Sequence, residues 1–274
     1  TAWRGEVSMD QNERRRRLIR ALLDERAEYR SLNVPVDVAA QKRLLRALLN
    51  LRPPMPAADG FLSMQDAYLR AAIVEKGVTD GDALPYTAEG FALWQGDITT
   101  LRCDAIVNAA NSALLGCFCP NHGCIDNAIH TFAGVQLRLA CEEIMRAQGG
   151  AEPTGHAKIT PAFNLPCRYV LHTVGPIVEG RVTARDEEML TACYRSCLEL
   201  AAKNRLESIA FCCISTGEFH FPNLPAAEIA VATVRDFMQR PTSIRKVIFN
   251  VFKDCDKAIY ARLLGGDRAP VRGA

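Results

Sequence analysis

Apolar positions along the chain follow two rhythms, and the change comes near residue 90. Ahead of it, Leu18, Ile19, Leu22 and Leu23 recur at helical spacing within residues 13–30. Leu44, Leu45, Leu48 and Leu49 repeat that spacing in a second helix, which Asp37 can cap. Pro53, Pro54 and Pro56 interrupt the pattern, and a third helical segment over residues 63–76 stops at Gly77. Leucine stripes of this kind need an apolar partner. Residues 1–89 are therefore expected to form an N-terminal helical extension, folded from residue 9 onward and packed on a main domain over residues 90–274. The residues ahead of Met9 read as a remnant of expression.

After residue 90, short apolar or β-branched runs at 91–94, 105–107, 157–160, 169–174, 209–214 and 247–251 read as strands. Between them lie amphipathic helices at 127–148, 185–204, 225–239 and 254–264. Alternation of this kind predicts an α/β fold, with a central mixed sheet covered by helices and ligands bound in loops beyond the strand ends. No internal repeat or low-complexity tract interrupts it.

Composition narrows the class. With 274 residues, 49% hydrophobic and 23% charged, the chain can bury a substantial core. No apolar run approaches the roughly 20 residues of a membrane span, and Arg14, Arg15, Arg16 and Arg17 precede no signal-peptide core. A cytoplasmic protein with no membrane partner is expected. A net charge of +2 gives no ground for a nucleic-acid partner, so the arginine run reads as a solvated helix face. Eleven cysteines, an odd number in a long chain, read as reduced thiols, Cys212 and Cys213 within an apolar strand.

Residues 116–126 concentrate Cys117, Cys119, His122, Cys124 and Asp126. Thiolates beside an imidazole suit zinc, and three protein ligands leave a fourth position for water or substrate. The spacing Cys117-x4-His122-x-Cys124 sets two ligands in the turn after Pro120 and brings the third from before it; Cys119 is the reserve. Buried thiols with a hydrogen-bonded loop histidine are the plainer alternative, and a bound metal can be structural as well as catalytic. Donor set and spacing favour zinc.

Two loops are candidates for an anion. Cys124, Ile125 and Asp126 lead into a helix, whose first N–H groups and dipole attract negative charge. Ser215, Thr216, Gly217, Glu218 and Phe219 come directly off a strand and can turn amides toward a diphosphate, although a capped strand-to-helix turn reads the same way. His130 and His172 read as structural, and His220 lies in a binding loop with no orienting carboxylate.

In chain order, Gly96-Asp97-Ile98-Thr99, Asn108-Ala109-Ala110-Asn111, Asp126-Asn127-Ala128-Ile129-His130, Gly155-His156-Ala157-Lys158-Ile159-Thr160, His172-Thr173-Val174-Gly175-Pro176 and the Ser215 loop resemble macrodomain motifs. The cysteine-rich insert stands where a glycine-rich stretch is usual. Together with the N-terminal helices it is similar to the zinc-containing macrodomains of microbes, some of which accompany a sirtuin-type ADP-ribosyltransferase and remove its mark. The resemblance implies a three-layer α/β/α macrodomain, Zn2+ as cofactor, ADP-ribose as ligand and a mono-ADP-ribosylated protein as substrate. A sirtuin-type transferase and a lipoyl-carrier protein are the partners it brings with it.

The roles it implies are specific to position. Asp97 accepts from the adenine amino group with the Ile98 backbone beside it, where the alternative is a turn cap. Asn111 bonds the distal ribose, and Asn108 braces the loop. Residues Ser215, Thr216, Gly217, Glu218 and Phe219 wrap the diphosphate, Phe219 near the distal ribose and Phe221 in the core. Asp126 orients or deprotonates the attacking water, where the alternative is an N-cap for the following helix. The expected activity is zinc-dependent hydrolysis that releases ADP-ribose from protein side chains. Deacylation of O-acetyl-ADP-ribose and non-catalytic reading of the mark are the rivals. Asn127 departs from the usual glycine.

Overall fold

The computed structural model describes residues 9–265, and the expectation for residues 1–8 lies outside them. Helix α1 (Gln11–Asp24) starts where the Asp10 carboxylate accepts from the Glu13 amide. It stops short of the predicted residue 30 because arginines take over the carbonyls beyond it: Arg30 Nε donates to Asp24 O at 3.2 Å and Arg20 reaches the carbonyls of Arg30 and Leu32. A 3-10 turn over Ala27–Tyr29 follows. Helix α2 (Val38–Leu51) is capped by Asp37 as expected, and α3 (Asp59–Lys76) ends at Gly77. The leucine stripes of α1 and α2 meet Phe61, Tyr68 and Leu69 of α3 in a core that extends to Val135. The arginine run is not wholly solvated. Arg15 points inward, 2% exposed, and donates to Gln41 Oε1 at 3.0 Å.

Two strands too short to carry periodicity, β1 (Thr79–Asp80) and β3 (Leu101–Arg102), pair in parallel. The main sheet is built from β2 (Phe91–Gln95), β4 (Ala105–Ala110), β5 (Ala157–Pro161), β6 (Tyr169–Val174), β7 (Ser208–Phe211) and β8 (Lys246–Val251), in the order β2-β8-β7-β4-β6-β5. Only β5 runs antiparallel to its neighbour. Helices α6 (Ala184–Lys203), α7 (Asn223–Met238) and α8 (Asp254–Leu264) pack side by side in one layer, and α4 (Ile125–Ala133) and α5 (Val135–Gln148) lie in the other. This is the three-layer α/β/α arrangement with a mixed sheet, and its central strands are buried on both faces. All eleven cysteines are free thiols. Among the described residues no helix is long and apolar enough to cross a membrane.

Helix α3 starts four residues ahead of the predicted 63 and β4 runs three beyond the predicted 107, and two further departures from the sequence pattern bear on the site. The single helix predicted over 127–148 breaks at Gly134, whose φ of +97° only glycine adopts without strain. Gln65 of α3 exploits the break: its Oε1 accepts from the freed Val135 amide at 3.0 Å. Strand β7 ends at Phe211, so Cys212 and Cys213 lie beyond it rather than within a strand. The reason is divergence. β4 pairs with β7 only at Ala105↔Ile209 and Ile106↔Ala210, whereas it pairs with β6 along its full length. Past Ala210 the two strands no longer pair, and it is beyond the carboxyl ends of such diverging strands that α/β sheets place their ligands.

Candidate active site

Because β2, β8, β7, β4 and β6 are parallel, their carboxyl ends share one edge of the sheet, and the loops leaving them collect the predicted residues there. Asp97 follows β2 and caps the 3-10 turn Ile98–Thr100, accepting from the Thr99 amide at 3.0 Å and hydroxyl at 2.6 Å. Its second oxygen accepts from Lys76 Nζ at 2.7 Å, a residue from the end of α3. Burial pushes the Asp97 carboxyl up, but the bonds from Lys76 and Thr99 outweigh it and hold the group below the usual carboxylate range. Capping and an accepting role are thus compatible: the turn fixes the carboxylate while leaving it partly open to solvent. At the end of the neighbouring strand β8, Phe252 is 77% exposed, a large apolar ring with no internal packing to explain it.

The Ser215 loop leaves β7. Ser215 takes a left-handed φ of +63° and its Oγ is buried without a partner. A Cβ at Gly175 would fall 2.0 Å from that Oγ, so the closeness of the two loops requires glycine there. Phe219 O accepts from Val178 N at 2.9 Å and Ser215 O from Phe221 N at 2.9 Å, which pins the loop at both ends. Phe221 is core, as expected. Among the described residues the amides of Gly217, Glu218 and Phe219 have no protein acceptor, and neither do those of Ile125 and Asp126 opening α4. Consecutive free N–H groups beside a helix N-terminus form an anion cradle. Thr216 turns its hydroxyl inward to Cys213 O at 3.0 Å.

Asp126 sits in the first turn of α4, 5% exposed. It is not the N-cap: that position belongs to Cys124, whose sulfur accepts from Asn127 N at 3.4 Å. Asn108 Nδ2 donates to Asp126 Oδ1 at 2.8 Å, and Asn111 Nδ2 approaches Oδ2 at 3.4 Å. Asn108, read from sequence as a loop brace, therefore holds the carboxylate directly. Its amide also meets His172 Nδ1 at 3.2 Å, which leaves the His172 Nε2–H to donate to Thr160 Oγ1 at 2.9 Å. The His172 ring is buried and its pKa falls to about 4. Burial raises the Asp126 pKa to about 6, against the opposing pull of Asn108 and Arg138. His130 packs one turn along, as the sequence implies. Its Nε2 lies 3.5 Å from Asp126 Oδ1, and neither ring nitrogen has a hydrogen-bond partner.

The cysteine-rich loop brings Cys117 Sγ, a ring nitrogen of His122 and Cys124 Sγ within 4.8 Å of one another. Cys117 Sγ and His122 Nδ1 are 3.6 Å apart. A tetrahedral zinc with ordinary Zn–S and Zn–N bonds sets such a pair about 3.6 Å apart, so the donor set fits the ion. Cys119 is exposed and outside the cluster; it contributes only its carbonyl, to the His122 amide and to Asn127 Nδ2. The outer nitrogen of His122 faces Glu218 Oε1 of the Ser215 loop at 3.5 Å. The Glu218 side chain thus turns to the histidine, leaving its backbone for an anion.

Two participants carry no motif. Lys76 belongs to the extension, 21 residues from its carboxylate partner. Phe252 closes an apolar strand and reads as one more core residue until its exposure is seen.

Free amides, a buried carboxylate and a partly exposed acceptor on the loops beyond the strand ends are the features of a ligand site on an α/β sheet. The chain belongs to the macrodomain family, and the Macro domain profile matches residues 107–230. It is 56% identical over 260 residues to a protein-ADP-ribose hydrolase of Treponema medium, a match spanning 93% of this chain and 100% of that protein. It is 48% identical over 252 residues to a protein-ADP-ribose hydrolase of Staphylococcus aureus, spanning 91% and 94%. The fold is similar to that of a Trypanosoma brucei macrodomain solved in complex with ADP-ribose, with a TM-score of 0.62 and 33% identity, covering 80% of this chain and 95% of that one.

Proposed function

We propose that this protein removes mono-ADP-ribose from modified protein side chains in a reaction that depends on zinc, releasing ADP-ribose. The observation that carries the reading is the placement of Asp126, a buried carboxylate steadied by Asn108 and Asn111 and followed through Cys124 into the metal donor set. The two relatives named protein-ADP-ribose hydrolase, each matched over nearly its whole length, support the same chemistry.

In this reading Asp97 accepts from the adenine amino group, and Phe252 offers an aromatic face to the base. The free amides of Gly217, Glu218 and Phe219, with those of Ile125 and Asp126, take the diphosphate. The buried Ser215 hydroxyl finds there the acceptor it lacks in the protein. Asn111 bonds the distal ribose. Asp126, with its raised pKa, accepts a proton from water as the oxygen attacks the anomeric carbon; the bond from that carbon to the protein side chain breaks, and Asp126 returns the proton to the departing side-chain atom. Cys117, His122 and Cys124 would hold the zinc, with Glu218 orienting the imidazole. When bound, zinc supplies Lewis-acid polarisation at this end of the pocket.

ADP-ribose release from Ser-, Asp/Glu- and Arg-linked proteins, measured with zinc-loaded and with chelated but folded protein, tests the reading. Release that requires zinc supports it. Tight ADP-ribose binding with no release on any linkage means a reader module, and release of acetate alone from O-acetyl-ADP-ribose means a deacylase. The resemblance alone carries the lipoyl-carrier and sirtuin-type transferase partners, and release of ADP-ribose from a modified lipoyl carrier tests the first of them.

A further inference from the structure

We infer that the N-terminal helices are part of the apparatus that holds the metal loop, with Arg46 and Asn127 as positioning residues; this deepens the zinc reading above and rests on it.

Arg46 projects from α2 and spans the gap to the loop. Its guanidinium donates to Asn127 Oδ1 at 3.0 and 2.7 Å and to the His122 carbonyl at 2.9 Å. Asn127 is wholly buried, and it touches the other two ligand residues. Its Nδ2 donates to Cys117 O at 3.4 Å and to Cys119 O at 3.0 Å, while its backbone amide donates to Cys124 Sγ at 3.4 Å. Asn127, through its side chain and its backbone amide, and the Arg46 guanidinium therefore contact between them all three residues that carry the donor atoms. Asn50, one turn further along α2, adds a second tie. Its Oδ1 accepts from the amide of Asn121, which is held at a φ of +57°, and its Nδ2 donates to Thr131 Oγ1, which in turn donates to Asn127 O.

A glycine at 127 would make none of the side-chain bonds, and Arg46 would have only a carbonyl to meet. The asparagine at this position is thus explained by the loop, whose carbonyls take its Nδ2, and by the extension, whose arginine takes its Oδ1, together. Ligands fixed before the metal arrives lose less freedom on binding it, and partners behind the ligands set their geometry. A planar guanidinium suits the task because its fork reaches the amide oxygen and the carbonyl together, which an ammonium does not.

The test uses the whole chain carrying Arg46→Ala, Arg46→Lys, Asn127→Gly, or Arg46→Ala with Asn127→Gly. Amide hydrogen exchange over residues 116–127 is measured in chelated protein, and zinc affinity is measured by competition with a chromogenic chelator. The expected result for Arg46→Ala and Asn127→Gly is exchange on the order of ten-fold faster in the loop, with the main sheet unchanged. Zinc affinity should fall roughly 10–100-fold. Arg46→Lys should recover little, and the double variant should match the weaker single variant because the two side chains act as one unit. Asn127→Gly leaves the apolar core of the extension intact, so it reads the loop even if Arg46→Ala loosens α2. Loop exchange and zinc affinity both within about two-fold of the unaltered protein, with α2 still protected, would overturn the inference. Faster loop exchange in the variants, with no zinc retained by the unaltered protein, would uphold the clamp and remove the metal reading.

Discussion

Asp97 and Asp126 are two carboxylates on one row of strand-end loops, and their surroundings drive them apart. Asp97 is partly solvated, receives Lys76 and the Thr99 turn, and stays below the usual carboxylate range. Asp126 is buried, receives neutral amide donors and no direct cation, and rises to about 6. The same side chain is thus set up in one place to accept hydrogen bonds permanently and in the other to exchange a proton near neutral pH. Paired groups whose environments separate their titrations mark a division of labour; under the proposed function it falls between recognition at Asp97 and chemistry at Asp126.

Cys124→Ser is the harshest way to break that division. Serine is a good N-cap, so α4 keeps its start, while a hard hydroxyl replaces a soft thiolate ligand. The expected outcome is zinc lost on dialysis, by elemental analysis, with ADP-ribose release down on the order of 100-fold or more and the melting temperature of chelated protein little changed. Unchanged zinc stoichiometry would remove Cys124 from the ligand set. Asp126→Asn comes next: release should fall by about 10²–10⁴-fold, while calorimetry shows ADP-ribose binding nearly intact. If binding collapses along with the rate, Asp126 belongs to recognition and the contrast with Asp97 dissolves.

Asp97→Ala should do the reverse. It weakens ADP-ribose by about 1.5–3 kcal/mol, the scale of a hydrogen bond to a charged group, and leaves the rate at saturation largely alone. Equal affinity by calorimetry would take Asp97 out of the site.

A stability measurement sharpens the comparison without substrate. Asp126 is raised from 3.8 to about 6 in the folded chain. Below pH 4 the group is protonated in both states and has no effect. Between pH 4 and 6 the unfolded chain ionises while the folded chain still holds the proton, so stability falls progressively by on the order of 3 kcal/mol and levels off above pH 6. Asn at this position escapes that cost but loses an acceptor toward Asn111. In chelated protein Asp126→Asn should therefore be stabilised by about 1–2 kcal/mol at pH 7.5 and by nothing near pH 3.5, read from urea midpoints. The smallest effect is at the surface: Arg17→Ala, breaking an exposed pair with Glu13, should cost under about 0.5 kcal/mol.

Much of the fold was legible in the chain. The two rhythms located the helices of the extension and the strands of the sheet, and Asp37 and Gly77 marked helix ends as expected. The misses have physical causes. Gly134 inside an apolar periodicity did not register as a break because Gln65, distant in sequence, is what rewards it. Residues 212–214 keep a strand's composition, but pairing between β4 and β7 stops at Ala210 and leaves Cys212 and Cys213 without a ladder. Arg15 looks like its neighbours in a charged run and is buried only because Gln41 of α2 receives it.

The chain by itself determined which thiols and which imidazole lie close together in one loop, since a short spacing leaves them little room to separate, and the order of the strand-end motifs. Tertiary structure alone decided how those groups are tuned. Whether a carboxylate is held below its ordinary range or raised to about 6 depends on what surrounds it, and Lys76, Asn108, Arg46 and Asn50 reach the site from 18 to 81 positions away along the chain. Local sequence encodes which atoms a segment carries; only packing decides which charges and amides face them, because electrostatic and hydrogen-bond energies depend on distance in space.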